Sequence, residues 1–570
     1  MEKKCKAEEG TDFLLGPRQQ GSDENKESIV QIIYPVGIID ENGAENSAGL
    51  LKKKTLQIGL QEKDTTNFSG KGYVVLDFGR ERSGGVRILT SRALGSASVR
   101  LRFGESVSET YAELGEKNAT NDHSLRDFCV RLTSFSDMTF GQTGFRFLRI
   151  DAVSEESRLE IKSVVCVSDA DEREEIGRFE CDDPLVNTIW NTAAYTLRLC
   201  LHNGYFWDGV KRDRLVWIGD LYPEMKAAHC LYGEVPETEN SLLFAESECP
   251  VGAWIGGFPN YSLWWLFILC EEYRHSGSRE KLGGHLPYAK ALLQYISGFV
   301  TEKGDTIFQP DFIDWPTYYE EGESIEKKEV SHTGTFYLLL LAMKRVRETF
   351  VAIGEDTAIV DELLHRLSER KVKPAEGYKQ IAALGVWAGD RSCENGRIVC
   401  ENGARGLSTF MAYEVLSAVA AYGKYEEALE MLREYYGGML TLGATTFWED
   451  FDLDWMQNAC GIDRRPEAGE KDIHGDFGRF CYVGFRHSLC HGWAAGVIPY
   501  LMETVAGIRE NGVGGKCFSI KPHLSGLKKV KAVYPTPNGS LIVEHFVKEN
   551  GELQTKIIAP EGITASLEKD

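Results

Sequence analysis

The hydrophobic pattern changes its period twice along the chain, and these two changes constrain the fold more than any other feature. Up to about residue 177, apolar residues form short runs or alternate with polar ones. Tyr73–Phe78 and Ile161–Val167 are such runs, and Phe145-Arg146-Phe147-Leu148-Arg149-Ile150 alternates. Alternation sends successive side chains to opposite faces, so this region reads as short strands of a β-sandwich. From Asp183-Pro184 the apolar spacing becomes three and four, as in PLVNTIWNTAAYTLRLC at 184–200. Asp183 is suited to cap that helix and Pro184 to its first turn. Further helical patterns cover roughly 216–232, 261–276, 286–300, 334–350, 355–368, 408–422, 424–436 and 489–504. From about 515 strands return, and Asn538-Gly539 marks a hairpin. A chain of 570 residues needs several cores. The expected division is a polar arm at 1–27, a β-sandwich domain at 28–177, a helical domain at 178–512 and a short β domain at 513–570. Helical hairpins closed into a ring and a layered bundle both satisfy the periodicity.

Charge and motifs narrow the function. The formal net charge of −22 opposes binding to nucleic acid or an anionic membrane. The richest apolar run, FYLLLLAMKRV, is too short to span a bilayer, and the basic start MEKKCK leads into no signal-length apolar run. A cytoplasmic protein is therefore expected. The 14 cysteines include no CxxC pair and read as reduced core residues. His487 and His491 are four apart, and Asp472, His474 and Asp476 alternate, but neither set is a recognised metal motif. Cys490 beside His491 makes no thiolate–imidazole pair by adjacency alone. No dinucleotide or phosphate-loop fingerprint occurs, so no cofactor or metal is expected.

All 11 tryptophans lie between Trp190 and Trp493. Trp190 and Trp217 read as core. Trp207, Trp254, Trp315, Trp387 and Trp448 fall in Gly-, Asp- or Pro-rich stretches, where rings can form apolar platforms for a sugar. Four constellations put carboxylates or histidines beside such rings. They are Trp207–Glu224 (with Asp208, Arg212, Asp213, Arg214 and Asp220), Gly443–Asp450 (with Trp448 and Glu449), Gln309–Pro316 (with Asp314 and Trp315) and His487–Trp493.

The segment Asp208–Asp220 resembles the signature of family 78 glycoside hydrolases, the α-L-rhamnosidases. Asp208, Arg212, Asp213, Arg214, Trp217, Gly219 and Asp220 keep its order and spacing. Gly443–Glu449 is similar to the signature that carries the base, Asp314-Trp315 to a substrate-contacting pair, and Ser488–Trp493 to a late segment whose histidine lines the sugar site. Asp77–Val86, Phe103–Ser106 and Gly144–Phe147 resemble the preceding β domain, and Tyr534–Gly539 the C-terminal β-sandwich. Two departures stand out. Asp213 occupies a position where the family usually has glutamate, and Gly209-Val210-Lys211 replaces a customary Cys-Pro-Gln.

The resemblance implies an (α/α)6 toroid between two β-sandwich domains, and an inverting hydrolase without cofactor. Asp213 is then the general acid and Glu449 the base, with carboxyls ~6.5–9.5 Å apart. Asp208, Asp220 and His491 would hold sugar hydroxyls, and Arg212 or Arg214 would either keep one of these carboxylates ionised or serve structure alone. Asp314 would contact substrate. Trp207, Trp315, Trp448 and Trp493 would form apolar walls, with Glu224 and Asp450 as reserve acids. The expected substrate is a small glycoside or oligosaccharide ending in α-L-rhamnose. The alternatives are another deoxy sugar, a uronic acid, or a non-catalytic carbohydrate-binding role. Oligomeric state is not legible.

Overall fold

The computed structural model describes residues 31–568, apart from 96, 172, 319–324, 369, 371, 373, 374 and 376. The polar arm expected at 1–27 lies outside the described residues.

The N-terminal region is built around one long strand, Thr66–Leu94. Phe68 and Ala93 both pair with Leu159, so the two halves of this strand flank the same neighbour, Arg158–Ser168. Strand Ser136–Ala152 likewise pairs with both halves. The sheet therefore folds back over itself and encloses its own apolar face, with Phe78, Ile88, Phe103, Phe145 and Ile150 fully buried. The expected sandwich arises from a single continuous sheet, and the fold-back is made at bulges between Asp77 and Arg82 and near Gly84.

Among the described residues there are twelve α-helices. Every second one packs on the next but one: Ile218–Tyr232, Pro259–Ser276, Ile325–Ile353, Lys379–Ala388, Ala412–Ala421 and Val497–Tyr500. The last of these packs back on the first, which closes an inner ring. The alternate helices, starting with Pro184–Cys200, form the outer layer. Inner helices have protein on every side, and their sequences follow from that. Ile218–Tyr232 buries every residue except Lys226, whose ammonium meets Glu503. The first outer helix is striped, and Asp183 caps it by accepting from the Leu185 and Val186 amides. The core is thus of the α/α-toroid kind, flanked by sheet domains.

Three short helices carry no clear sequence stripe: Pro236–Glu248, Lys379–Ala388 and Cys393–Cys400. The helix expected at 489–504 starts later. His487 and His491 are extended, and a 3-10 turn at Gly492–Gly496 leads into Val497–Tyr500. The C-terminal hairpin forms at Asn538-Gly539 between Lys529–Thr536 and Gly539–Val547. Its sheet is completed by Arg178–Cys181 from the other end of the helical region. No helix of the described residues is long and apolar enough to cross a membrane, and the described cysteines are free thiols.

Candidate active site

Each connection from an outer to an inner helix lies at the same end of the ring. The four constellations are carried on three such connections, which is why segments far apart in sequence meet. Residues 201–217 precede Ile218–Tyr232, and 442–496 precede Val497–Tyr500. The two are stitched by a bridge between Gly209 and His491 and by the Gly492 amide donating to the Asp208 carbonyl at 2.7 Å.

Arg212 is the hub. Its guanidinium is buried and donates through Nη2 to Glu449 and through Nη1 to Asp213 at 2.7 Å. Its Nε binds the Arg486 carbonyl at 3.0 Å. Asp213 and Glu449 therefore occupy the two terminal nitrogens of one planar fork. Glu449 is buried, and its other oxygen accepts from the Ser488 amide at 3.1 Å. Its carbonyl accepts from Trp493 Nε1 at 3.0 Å and the Thr409 hydroxyl at 2.5 Å. Asp213 is partly exposed and faces His123, a residue of the N-terminal sheet region, at 3.0 Å. Asp213 and the next residue, Arg214, have φ of 55° and 59°, a left-handed conformation that costs about 1–3 kcal/mol per residue. Such strain is retained at a place where the Asp213 carboxyl is turned toward Arg212.

Behind this pair lies a buried acidic cluster. Asp208 accepts from the Leu215 amide, and its other oxygen lies 3.7 Å from His491 Nε2. His491 is 3.8 Å from Glu449 and 3.9 Å from Asp220. Burial pushes Asp208, Asp220 and Glu224 well above the usual carboxylate range, and like-charge neighbours add to it: Asp213 for Asp208, Glu224 for Asp220, and Asp208 for Glu224. Burial, helped by Arg212, pushes His491 well down, so its ring is neutral. His491 Nδ1 and Glu224 Oε1 are buried without a hydrogen-bond partner in the protein.

The aromatic residues separate into two groups. Trp493 is stacked on Phe410 beneath Glu449. Trp207 is half-buried, stacked on His202 with Arg214 over its face. Trp315 is half-buried and stacked on Phe480, with Tyr318 and Tyr482 around it. Trp448 corrects the sequence reading: it is 1% exposed, wedged edge-on to Phe451, and belongs to the core rather than to an open wall. Trp254 and Trp387 likewise lie in aromatic clusters that hold helices together. Asp314 is buried and spends its carboxylate on the Ser408 hydroxyl and the Trp315 amide. Burial raises it to about 6.

Asp450 adjoins Glu449 and is raised to about 7 by burial and by Asp314. Its folded value lies above the ordinary 3.8, so its stabilising effect is complete below that ordinary value and is lost as pH rises through about 7. Urea unfolding of the wild type and of Asp450→Asn should therefore converge or cross as pH goes from 5 to 8, with the wild type losing ground. A difference independent of pH would show that Asp450 is charged throughout.

The two histidine sets weighed as metal ligands in the sequence are engaged elsewhere. His487 accepts from the Asp450 amide, and Asp476 pairs with Lys117. His474 instead lies with Glu105 and Glu109, whose ligand atoms are within 4.8 Å of one another. The Lys211 ammonium sits there, 2.9 Å from Glu105 and 3.4 Å from both Glu109 and His474. A cation is thus already provided by the chain. Sequence reasoning missed Glu105, His123 and Thr409 as parts of the site. Only Glu105 carried a signal, within Phe103–Ser106.

A closed ring of helical hairpins between sheet domains, with carboxylates and aromatic rings gathered at one mouth, defines the six-hairpin toroid class of fold. The family model for the bacterial alpha-L-rhamnosidase six-hairpin glycosidase domain matches residues 174–358. An alpha-L-rhamnosidase of Formosa agariphila is 22% identical over 472 residues, covering 75% of this chain and 47% of its own length. The structure of a family 78 rhamnosidase from Bacillus sp. GL1 superposes with a TM-score of 0.71 at 19% identity, covering 91% of this chain and 55% of that one. A Klebsiella oxytoca rhamnosidase with rhamnose bound gives 0.63 at 19%, covering 83% and 95%. This chain spans about half the length of the curated relative. It carries the six-hairpin scaffold of the family 78 α-L-rhamnosidases.

Proposed function

We propose that the protein is an exo-acting glycoside hydrolase that releases terminal α-L-rhamnose from small glycosides with inversion. The observation that carries this reading is the shared fork of Arg212, which holds Asp213 and Glu449 together at the mouth of the ring. Glu449, bonded to a guanidinium and a backbone amide, is set to be the ionised base that takes a proton from water. Asp213, the more exposed of the two, donates to the leaving oxygen. Inversion further requires the two carboxyls to stand ~6.5–9.5 Å apart in the sugar complex, with the attacking water between them. His491 Nδ1 and Glu224 Oε1 are free to bond sugar hydroxyls, and Trp493, Trp207 and Trp315 supply apolar surface for ring carbons and a 6-methyl group. The buried neighbours favour a second assignment of the acid, because burial pushes the Asp220 and Glu224 carboxyls well above the usual range.

The reading is tested with a panel of aryl glycosides covering α-L-rhamnosides, other deoxy sugars and uronides. Preferential turnover of the rhamnoside supports it; preference for another sugar moves the specificity, and binding without turnover removes the hydrolase reading. Asp213→Asn separates the two acids. It should slow poor leaving groups by about a hundredfold or more while sparing activated ones. Equal slowing of both would pass the role to Asp220 or Glu224.

A further inference from the structure

Besides His123, the N-terminal sheet region reaches the site through Glu105. Strand Ser98–Gly104 ends there, and Glu105 follows, fully buried. One approach is very close: a Cβ on Gly144 would meet Val210 at 2.6 Å, so only glycine lets the sheet touch this loop. Glu105 accepts from the Leu489 amide at 2.7 Å and from the Ser488 hydroxyl at 3.3 Å. Lys211 lies 2.9 Å from Glu105 and donates to the carbonyls of Phe485 at 3.0 Å and His487 at 2.5 Å. The stretch 485–489 is therefore gripped from the sheet side by one buried ion pair.

The opposite side of that stretch holds Glu449. The Ser488 amide donates to the Glu449 carboxylate at 3.1 Å, and the Ser488 carbonyl accepts from the Glu449 amide at 3.0 Å. The other donor to that carboxylate is Arg212, the residue next to Lys211. Both polar contacts of Glu449 thus rest on backbone that Glu105 and Lys211 fix. A buried ion pair is a poor source of net stability, because desolvation offsets most of the attraction. Its effect here is geometric.

We propose that Glu105 and Lys211 are positioning residues for Glu449, so that the N-terminal sheet is an integral wall of the active site. This deepens the reading of Glu449 as the base and rests on it.

The test compares full-length wild type with Glu105→Ala and Glu105→Gln. On the best substrate of the aryl panel, Glu105→Ala should lower kcat by about a hundredfold with KM changed less than about threefold. Glu105→Gln, whose amide oxygen still accepts from the Leu489 amide, should recover part of the loss. A merely structural role would lower thermal stability and leave kcat per folded molecule unchanged, and that result overturns the proposal. Crystal structures of wild type and variant give a second readout. Displacement of Ser488–Leu489 together with Glu449 supports the proposal; superposable Glu449 contradicts it. That comparison stands even if the wild type turns over no glycoside, an outcome that would defeat the hydrolase reading alone. If Glu105→Ala does not fold, Glu105→Gln and Lys211→Met carry the same comparison.

Discussion

Glu449→Gln is expected to lower kcat by about 10⁴-fold while leaving the fold intact. The amide oxygen still accepts from the buried Arg212 guanidinium, while its NH2 group faces the Ser488 amide and gives up that one contact. What disappears is the capacity to take a proton from water, which no neighbour supplies from the same position. Burial pushes Asp208 and Asp220 well above the usual carboxylate range, and the His491 ring stands 3.8 Å from the Glu449 carboxylate rather than in its place. KM should change little, because the loss falls on the chemical step. Steady-state kinetics together with a thermal melt checks this. A kcat within tenfold of wild type, at unchanged stability, would remove Glu449 as the base.

The largest stability effect is expected from Arg212→Met. Arg212 is 4% exposed and serves two carboxylates and one carbonyl. Removing one side of a buried pair leaves the other charge desolvated and unpaired, which costs about 3–5 kcal/mol. Relief comes only if Glu449 binds a proton, and a protonated Glu449 is no base, so activity falls with stability. Arg212→Lys should rescue little, since an ammonium lacks the planar fork that reaches both partners. Urea unfolding measures the first effect and kcat the second. A stability loss below about 1 kcal/mol would mean that water already reaches this pair.

What the sequence revealed and what it hid follow from the range of the interactions. The first outer helix was legible because its signals are local: an Asp183 cap, Pro184 beside it and a striped face. The hairpin at Asn538-Gly539 was legible for the same reason. Lys379–Ala388 was hidden because an inner helix packed on all sides has no stripe to detect. Pro236–Glu248 was hidden because its glutamates and apolar residues are not segregated onto opposite faces. Closure of the ring depends on Val497–Tyr500 meeting Ile218–Tyr232, and entry of Arg178–Cys181 into the C-terminal sheet depends on Lys529–Thr536. Neither leaves a periodic trace.

The site shows the same division. Its four constellations, carried on three connections, stood out because they concentrate acids and rings between helices, and Asp213 and Glu449 do meet on Arg212. The fate of Trp448 did not show, because burial of a loop ring is decided by what packs over it. Nor did the contribution of His123, which reaches Asp213 from a different domain. Specificity is where local composition says least, since apolar walls and hydroxyl partners suit several sugars.

The most direct measurement is proton NMR of the sugar first released from an aryl α-L-rhamnoside, recorded before mutarotation. If water attacks from the Glu449 side as the aglycone leaves toward Asp213, β-L-rhamnose appears first and the α anomer grows in only later. Initial release of α-L-rhamnose would contradict the opposed roles assigned to these two carboxylates.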